Sequence, residues 1–416
     1  MIKNVLIYIS DSLRWDYGYK ILKDNLRSYY PIFKTVAQSV ITPTSLASIL
    51  TGLNPPRHGV FCFFDRISPI LPTFFDLFPN ISLYLDNPHD VIYKVFNDPP
   101  RNDLVTLLEP FIYVELSALT HMPYDKTYGE DAISYLKERG SNISQIRNEY
   151  KNCVMRSYER FLQLVKVLKK RGIKDSTLII FTSDHGEFLG EYGFVGHTFP
   201  ALPEAVYVPT VIISPLTEGR AYFKHGIIRQ VDILPTAIAI LNLNVLPWWE
   251  GVNILEESSQ HLLGFNYTVI GREKISNIGK KLEFLTNLDV WKDIISSAIY
   301  SENGYYINLH CSFPLYLALL LYELFFRPKR KLPLKPSFKA LTYCRRKIKY
   351  KVDKFSEEFW EKALNYFEQN PTFGFMNNLK VGTDIITRSL GKAKLRKKVK
   401  RLKYFKLKSN EVRNSQ

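Results

Sequence analysis

Short apolar strands that alternate with helical stretches predict an α/β fold with a mainly parallel central sheet. Two observations carry this. The strand-like runs "KNVLIYIS" (3–10) and "STLIIFTS" (176–183) are almost continuously apolar, as strands buried on both faces are. An acidic residue follows each run at once, Asp11 after the first and Asp184, with His185, after the second. The carboxyl ends of parallel strands are where such sheets gather ligands.

Taken in order, the first strand is 3–10. A helix over 45–51 follows and stops at Gly52. "DVIYKVFND" (90–98) and "PFIYVELSA" (110–118) are β-rich and are expected to be strands. Residues 150–170 carry Val154, Tyr158, Leu162, Val165 and Leu168 at helical spacing. The strand 176–183 ends on Asp184-His185-Gly186-Glu187. "VPTVIIS" (208–214) is another strand. "VDILPTAIAILNL" (231–243) is a helix with a proline in its first turn, where a missing N–H costs little. Short strands such as "NYTVIG" and "SAIYSENGYYINLH" predict a small appended sheet between 250 and 312. The Pro/Lys-rich joint "RPKRKLPLKPSFK" opens a tail with helical patterns over 355–369 and 383–407. The expected division is a core over 1–250, a small subdomain over 251–326 and a basic helical tail over 327–416.

Charge is uneven. The chain of 416 residues has a net charge of +16, yet residues 327–416 hold 26 basic and 7 acidic side chains, so the remainder is slightly acidic. A near-neutral body with a basic tail fits an anionic membrane surface or anionic glycan carrier better than nucleic acid, because aromatic residues for base stacking are sparse in its most basic stretch, "LGKAKLRKKVKRLKYFKLK" (Tyr404, Phe405). The four cysteines (Cys62, Cys153, Cys311, Cys344) are scattered without a CxxC, which points to a reducing compartment. The apolar run at 313–326 contains Glu323 and is too short to span a bilayer, and the N-terminus lacks the pattern of a signal peptide. The expected location is cytoplasmic, peripheral at the inner membrane face.

The chemistry centres on "ITPTSLASILTGLNPPRHGV" (41–60). Alone, it reads either as an ordinary capped helix start or as a nucleophile at the positive end of a helix. Asp11 alone is a turn residue ending a strand, and Asp184-His185-Gly186 alone is a loop cluster. Together Asp11, Asp184 and His185 are hard or borderline ligands that would leave a dication undercoordinated, and Thr42 is a plausible completion. A hydroxyl on a metal loses its proton more readily and then becomes a nucleophile.

These segments resemble the sulfatase branch of the alkaline phosphatase superfamily. There a Cys, Ser or Thr precedes Thr-Gly by nine residues, as Thr42 precedes Thr51-Gly52, and a Pro-x-Arg-His-Gly variant follows, here Pro55-Pro56-Arg57-His58-Gly59. "NVLIYISDSLRWDYG", "THMPY", "IIFTSDHGEFLGEYGFVGH", "VPTVIISP" and "VDILPTAIAIL" follow the family's order over about residues 1–250. The resemblance implies an alkaline phosphatase-like α/β/α sandwich. It implies Asp11, Thr42, Asp184 and His185 as metal ligands, Thr42 as nucleophile, and His121 and His197 as groups that hold anionic oxygens or protonate the leaving oxygen. Arg57 and His58 are assigned to shaping the helix exit, and Glu187 and Glu191 to solvent or a helix cap.

This chain departs from the formylglycine sulfatases. Thr42 cannot yield their aldehyde, Leu46 stands where their arginine would be, and Ser12 replaces a second acid. The set is similar to Zn- or Mn-dependent members with a threonine nucleophile, such as phosphodiesterases, lipoteichoic acid synthase and phosphoethanolamine transferases. The implied cofactor is one divalent metal, Zn or Mn ahead of Ca or Mg. A second metal would need a further acid, for which Glu115 and Asp125 are the weak candidates. The implied activity is hydrolysis of phosphate or sulfate esters, phosphoesters favoured. The alternatives are transfer of a phospho-group onto a lipid or glycan, and a catalytically silent binder of anionic glycans or lipids.

Overall fold

The computed structural model describes residues 2–256, 264–270, 294–301 and 304–310, apart from residue 70 and the segments 87–89, 125–131, 140–141, 192–193, 198–200, 220–227 and 244–248. The strands are β1 Asn4–Ser10, β2 Phe33–Val36, β3 Asn80–Leu85, β4 Phe111–Ser117, β5 Thr177–Thr182, β6 Phe188–Leu189, β7 Val195–Gly196, β8 Tyr207–Ile213, β9 Ile228–Arg229, β10 Gly264–Ile270, β11 Ile294–Ser301 and β12 Gly304–His310. The α-helices are α1 Trp15–Leu26, α2 Thr42–Thr51, α3 Pro55–His58, α4 Asp90–Val95, α5 Ala132–Arg139, α6 Ile143–Lys170, α7 Pro203–Val206 and α8 Ile233–Ile240.

Seven strands form the main sheet in the order β3-β4-β1-β5-β8-β2-β9. β8 runs antiparallel to both neighbours, and every other pairing is parallel. Strand alternation divides the core in two. Val5, Ile7, Ile9, Leu178 and Ile180 face a layer that includes α2 and α8. Leu6, Tyr8, Ile179 and Phe181 face the layer that includes α1 and α6. With apolar cover on both faces, β1 and β4 are buried at every position. That is why their sequences read as unbroken runs.

The main differences from the expected elements have local causes. Residues 90–98 contain the helix α4 instead of a strand. Their β-branched residues suggest β structure, but Ile92, Tyr93, Val95 and Phe96 are buried while Lys94 is exposed, which is a helical spacing. α6 begins earlier than residue 150 because the Asn142 side chain accepts the Gln145 N–H (3.1 Å) and caps it. α8 starts after a 3-10 turn at Gln230–Asp232 and carries Pro235 in its first turn.

The appended sheet is antiparallel, β10-β11-β12. It meets the core through Asn266, whose side-chain amide donates to the Ala37 carbonyl (2.8 Å), and through Ala298 and Tyr300, buried beside Val36 and Val40. The expected tail over 327–416, its helical patterns and the apolar run at 313–326 lie outside the described residues. Among the described residues no helix is long and apolar enough to cross a membrane.

α2 is held at its far end by a latch. Gly52 ends the helix in the left-handed region (φ 66°), and its N–H returns to the Ser48 carbonyl. The Gly52 carbonyl then accepts the Glu250 N–H (3.0 Å). The Glu250 carboxylate accepts the Asn54 N–H (2.6 Å), and Arg229 donates to the Glu250 carbonyl (3.0 Å). Arg229 is itself buried against Asp232 (2.6 Å). The latch closes only because residue 251 is glycine: a Cβ there would stand 1.7 Å from the Val231 carbonyl oxygen. Gly251→Ala is expected to destabilise the fold by about 3 kcal/mol, the upper end of overpacking. Thermal denaturation followed by circular dichroism checks this, and an unchanged midpoint would contradict it.

Candidate active site

β1, β5, β4 and β2 run parallel, so their carboxyl ends share one edge of the sheet. β1 delivers Asp11, and β5 delivers Asp184 and His185. β4 leads through a 3-10 turn, Ala118–Thr120, to His121. β2 leads through a short loop to Thr42 in the first turn of α2. Backbone bonds tie these loops together. Ser12 has φ 67°, a left-handed conformation uncommon outside glycine. There its N–H donates to Asp184 Oδ1 (2.9 Å) while its hydroxyl donates to Asp11 Oδ1 (3.0 Å). The Leu13 N–H donates to Ser183 Oγ (2.9 Å), and Thr120 Oγ1 donates to the Asp11 carbonyl (2.5 Å).

One ligand atom from each of Asp11, Asp184 and His185 lies within 4.8 Å of the others, and all three side chains are buried. Burial, with Asp184 alongside, drives the Asp11 carboxyl well above the usual carboxylate range. Burial likewise raises Asp184. His185 is pushed down to about 3 by burial, so it is neutral. Its Nδ1 faces the Gly186 carbonyl (3.0 Å), and this partner assigns the ring proton to Nδ1. His185 Nε2 therefore presents a lone pair. That lone pair sits 3.2 Å from Asp184 Oδ2, a buried oxygen that accepts no hydrogen bond. The Thr42 hydroxyl faces the same nitrogen, and burial raises the Asp184 carboxyl. The donor set of two carboxylates and one imidazole suits a divalent metal.

Thr42 is 3% exposed, with Oγ1 3.2 Å from His185 Nε2. The His197 ring lies over that of His185, with centroids 4.0 Å apart. His197 Nε2 also lies 3.0 Å from His121 Nε2. His197 Nδ1 faces the Val40 carbonyl (2.9 Å) and His121 Nδ1 the Met122 carbonyl (2.6 Å). By the same reasoning both Nδ1 atoms carry protons. The facing Nε2 atoms then need a proton or a cation between them. Thr42, Asp11, Asp184, His185, His121 and His197 thus come together in one place.

Other residues sit elsewhere or do different work. His58 is buried, with Nδ1 accepting the Val60 N–H (3.1 Å) and Nε2 3.0 Å from Ser48 Oγ, and burial pushes it down to about 3. Arg57 lies 3.9 Å from Glu250. Glu115 accepts Arg160 (2.7 Å) and Tyr113 (2.8 Å) within β4, so its carboxylate is already committed. Asp125 lies outside the described residues. Glu187 is not solvated: it is fully buried and accepts the Tyr124 hydroxyl (2.6 Å). Glu191 accepts Arg14 (2.9 Å) and the Leu189 N–H (2.6 Å). Ser12, Ser183, Gln38 and Gln230, which hold the loops, have no short-range sequence signature, since each acts across a long stretch of chain.

The opposed acceptors give a direct expectation. Asp184→Asn places an amide N–H donor opposite His185 Nε2 and removes a buried charge. In the presence of a chelator this variant is expected to melt a few degrees above wild type. With saturating Zn²⁺ the order is expected to reverse. Differential scanning calorimetry under both conditions checks this, and a lower midpoint for the variant in chelator would contradict it.

Comparison with known proteins places this geometry. Residues 101–243 match the family model described as Sulfatase. The low-salt glycan biosynthesis sulfotransferase Agl7 of Haloferax volcanii is 28% identical over 256 residues, covering 58% of this chain and 62% of that protein. The chain therefore spans less than two thirds of that relative's length. Among solved structures, a sulfatase-type protein of Bacteroides thetaiotaomicron superposes with TM-score 0.55 at 13% identity, covering 74% of this chain and 83% of that one. The phosphonate monoester hydrolase of Agrobacterium radiobacter superposes with TM-score 0.55 at 14% identity, covering 89% and 96%. Residues 101–243 are thus similar to the Sulfatase family model, and the fold is the one shared by these sulfatase-type and phosphonate monoester hydrolase structures.

Proposed function

We propose that this chain is a metal-dependent enzyme that cleaves phosphate or sulfate esters through a covalent Thr42 intermediate. The observation that carries the reading is the set of opposed acceptors, His185 Nε2 and Asp184 Oδ2, with Thr42 Oγ1 3.2 Å from the same nitrogen. Asp11, Asp184 and His185 would hold the metal, with Thr42 beside it. Such a metal supplies positive charge next to the nucleophile and the anionic oxygens of the substrate. Zn²⁺ or Mn²⁺ suits the imidazole and carboxylates better than Ca²⁺ or Mg²⁺.

The chain's own groups divide the remaining work. Thr42 Oγ bonds to phosphorus or sulfur as the bond to the ester oxygen breaks. Asp184, near enough for the Thr42 hydroxyl to lower its pKa, is the acceptor at hand for the hydroxyl proton. His121 and His197, whose Nε2 atoms lie 3.0 Å apart, are the groups that hold the anionic oxygens or protonate the leaving oxygen. Water then attacks the Thr42 ester and frees the residue. α2 directs its first N–H groups toward this end and favours the anionic oxygens, as helix N-termini do. Phosphoesters are placed ahead of sulfate esters because Thr42 cannot form the aldehyde of formylglycine sulfatases.

A second reading exchanges water for an alcohol. It is favoured by the relative from Haloferax volcanii, whose name is that of a glycan sulfotransferase. In that case the Thr42-bound group is a sulfuryl group passed to a glycan hydroxyl.

A panel of chromogenic phosphate monoester, phosphate diester, phosphonate and sulfate substrates, each with Zn²⁺, Mn²⁺, Mg²⁺ or Ca²⁺, tests both readings. Adding a glycan alcohol reports transfer. Thr42→Ala is expected to fold, losing about 1 kcal/mol for one hydrogen bond. Its turnover is expected to fall by about 10³-fold or more, as when a nucleophile is removed. Thr42→Ser keeps part of the activity. Wild-type rates in Thr42→Ala would remove the covalent mechanism.

A further inference from the structure

We infer that Gln230 is a positioning residue that sets the spacing between the metal-binding loop and the loop that carries Thr42. The inference rests on the metal reading proposed above.

The need for such a residue follows from the topology. The metal loop leaves β5 and the Thr42 loop leaves β2, but the antiparallel β8 lies between them. Two inter-strand spacings separate the carboxyl ends of β5 and β2 by about 10 Å. Because β8 runs the other way, its start lies at this edge, where the Ala205 carbonyl accepts the Gly186 N–H (2.8 Å) and the Val206 carbonyl accepts the Ala37 N–H (2.9 Å); neither bond reaches Ser183 or Asp184. Catalysis through Thr42 beside the metal requires the two loops to meet at a fixed distance, with tolerance of a fraction of an ångström.

Gln230 follows β9 in the 3-10 turn and is fully buried. Its side-chain amide donates to the Ser183 carbonyl (2.7 Å) and to the Asp184 carbonyl (2.6 Å). Its Oε1 accepts the Gln38 N–H (3.0 Å). One planar amide thus grips the backbone of the metal ligand Asp184 on one side and the exit of β2 on the other. The grip is reciprocal, because Gln38, also buried, accepts the Val231 N–H on its own Oε1 (3.2 Å). From Gln38 the connection to the nucleophile is short. The Ser39 carbonyl accepts Ser45 Oγ of α2 (2.8 Å), which fixes the helix that begins with Thr42. The arrangement needs two donors and one acceptor in one plane, which a neutral amide supplies and a carboxylate does not.

The test uses the full chain, stripped of metal and titrated with Zn²⁺ against a chromophoric chelator. The variants are Gln230→Met, which keeps the length and loses all polar atoms, and Gln230→Glu, which keeps the shape and the acceptor and loses only the two donors. Both are expected to retain the wild-type circular dichroism spectrum. Both are expected to bind Zn²⁺ about 10–100-fold more weakly, the usual effect of removing a group that orients a ligand. On any substrate that wild type turns over, kcat is expected to fall with KM little changed. Wild-type Zn²⁺ affinity in both variants would overturn the inference, as would failure of both to fold, which would make Gln230 a purely structural residue. Absence of Zn²⁺ binding by wild type itself is a different result: it would remove the proposed function, and this inference with it.

Discussion

The site is organised by an excess of buried acceptors. His185 Nε2 and Asp184 Oδ2 face each other at 3.2 Å, and the Asp11 carboxyl is buried close by. Folding such groups together without a compensating charge costs energy, which is why burial drives both carboxyls toward protonation. The surrounding hydrogen bonds nevertheless hold them in this arrangement. The left-handed backbone at Ser12, the Ser183 hydroxyl and the Gly186 carbonyl all fix the ligands in orientation. A frame that resists its own electrostatics is organised for a cation, and strained backbone at such a point is a common sign of function.

Sheet topology explains why the frame draws on residues so distant in sequence. Parallel strands bring the ends of β1, β4, β5 and β2 to one edge, but the reversed β8 places its start, not its end, between β5 and β2. The segment that enters β8 fills this position, with the Ala205 carbonyl accepting the Gly186 N–H and the Val206 carbonyl accepting the Ala37 N–H. It also breaks the simple succession of neighbouring loops. The glutamine pair, Gln38 and Gln230, and the latch around Gly251 add side-chain bonds to these backbone ties. Function here depends on the loops, and the loops depend on a few buried side-chain-to-backbone bonds.

Much of this was legible in the sequence, for identifiable reasons. A continuous apolar run that ends on an acid marks a buried parallel strand and its carboxyl end, so β1 with Asp11 and β5 with Asp184-His185 stood out. Thr42 was marked by its place before a short helix that closes on Gly52. Other features depended on contacts that no local pattern encodes. Residues 90–98 misled because β-branched composition outweighed a helical spacing that becomes clear only when burial is known. Glu187 reads as a surface acid beside Gly186, yet Tyr124, distant in sequence, covers it. Gln230 lies next to a recognisable helix start, but its partners at 183, 184 and 38 are defined only by the folded sheet. The opposed lone pairs are a matter of tautomer and distance, which are properties of the folded site.

The measurement that bears most directly on this account is nitrogen NMR of the histidine rings, with ¹⁵N-labelled protein titrated with Zn²⁺ near neutral pH. The account predicts that His185 in metal-free protein is neutral, with its proton on Nδ1, and that its Nε2 resonance shifts on metal addition and saturates at one equivalent. A His185 ring protonated on Nε2 before addition, or an Nε2 resonance unmoved by bound metal, would contradict it.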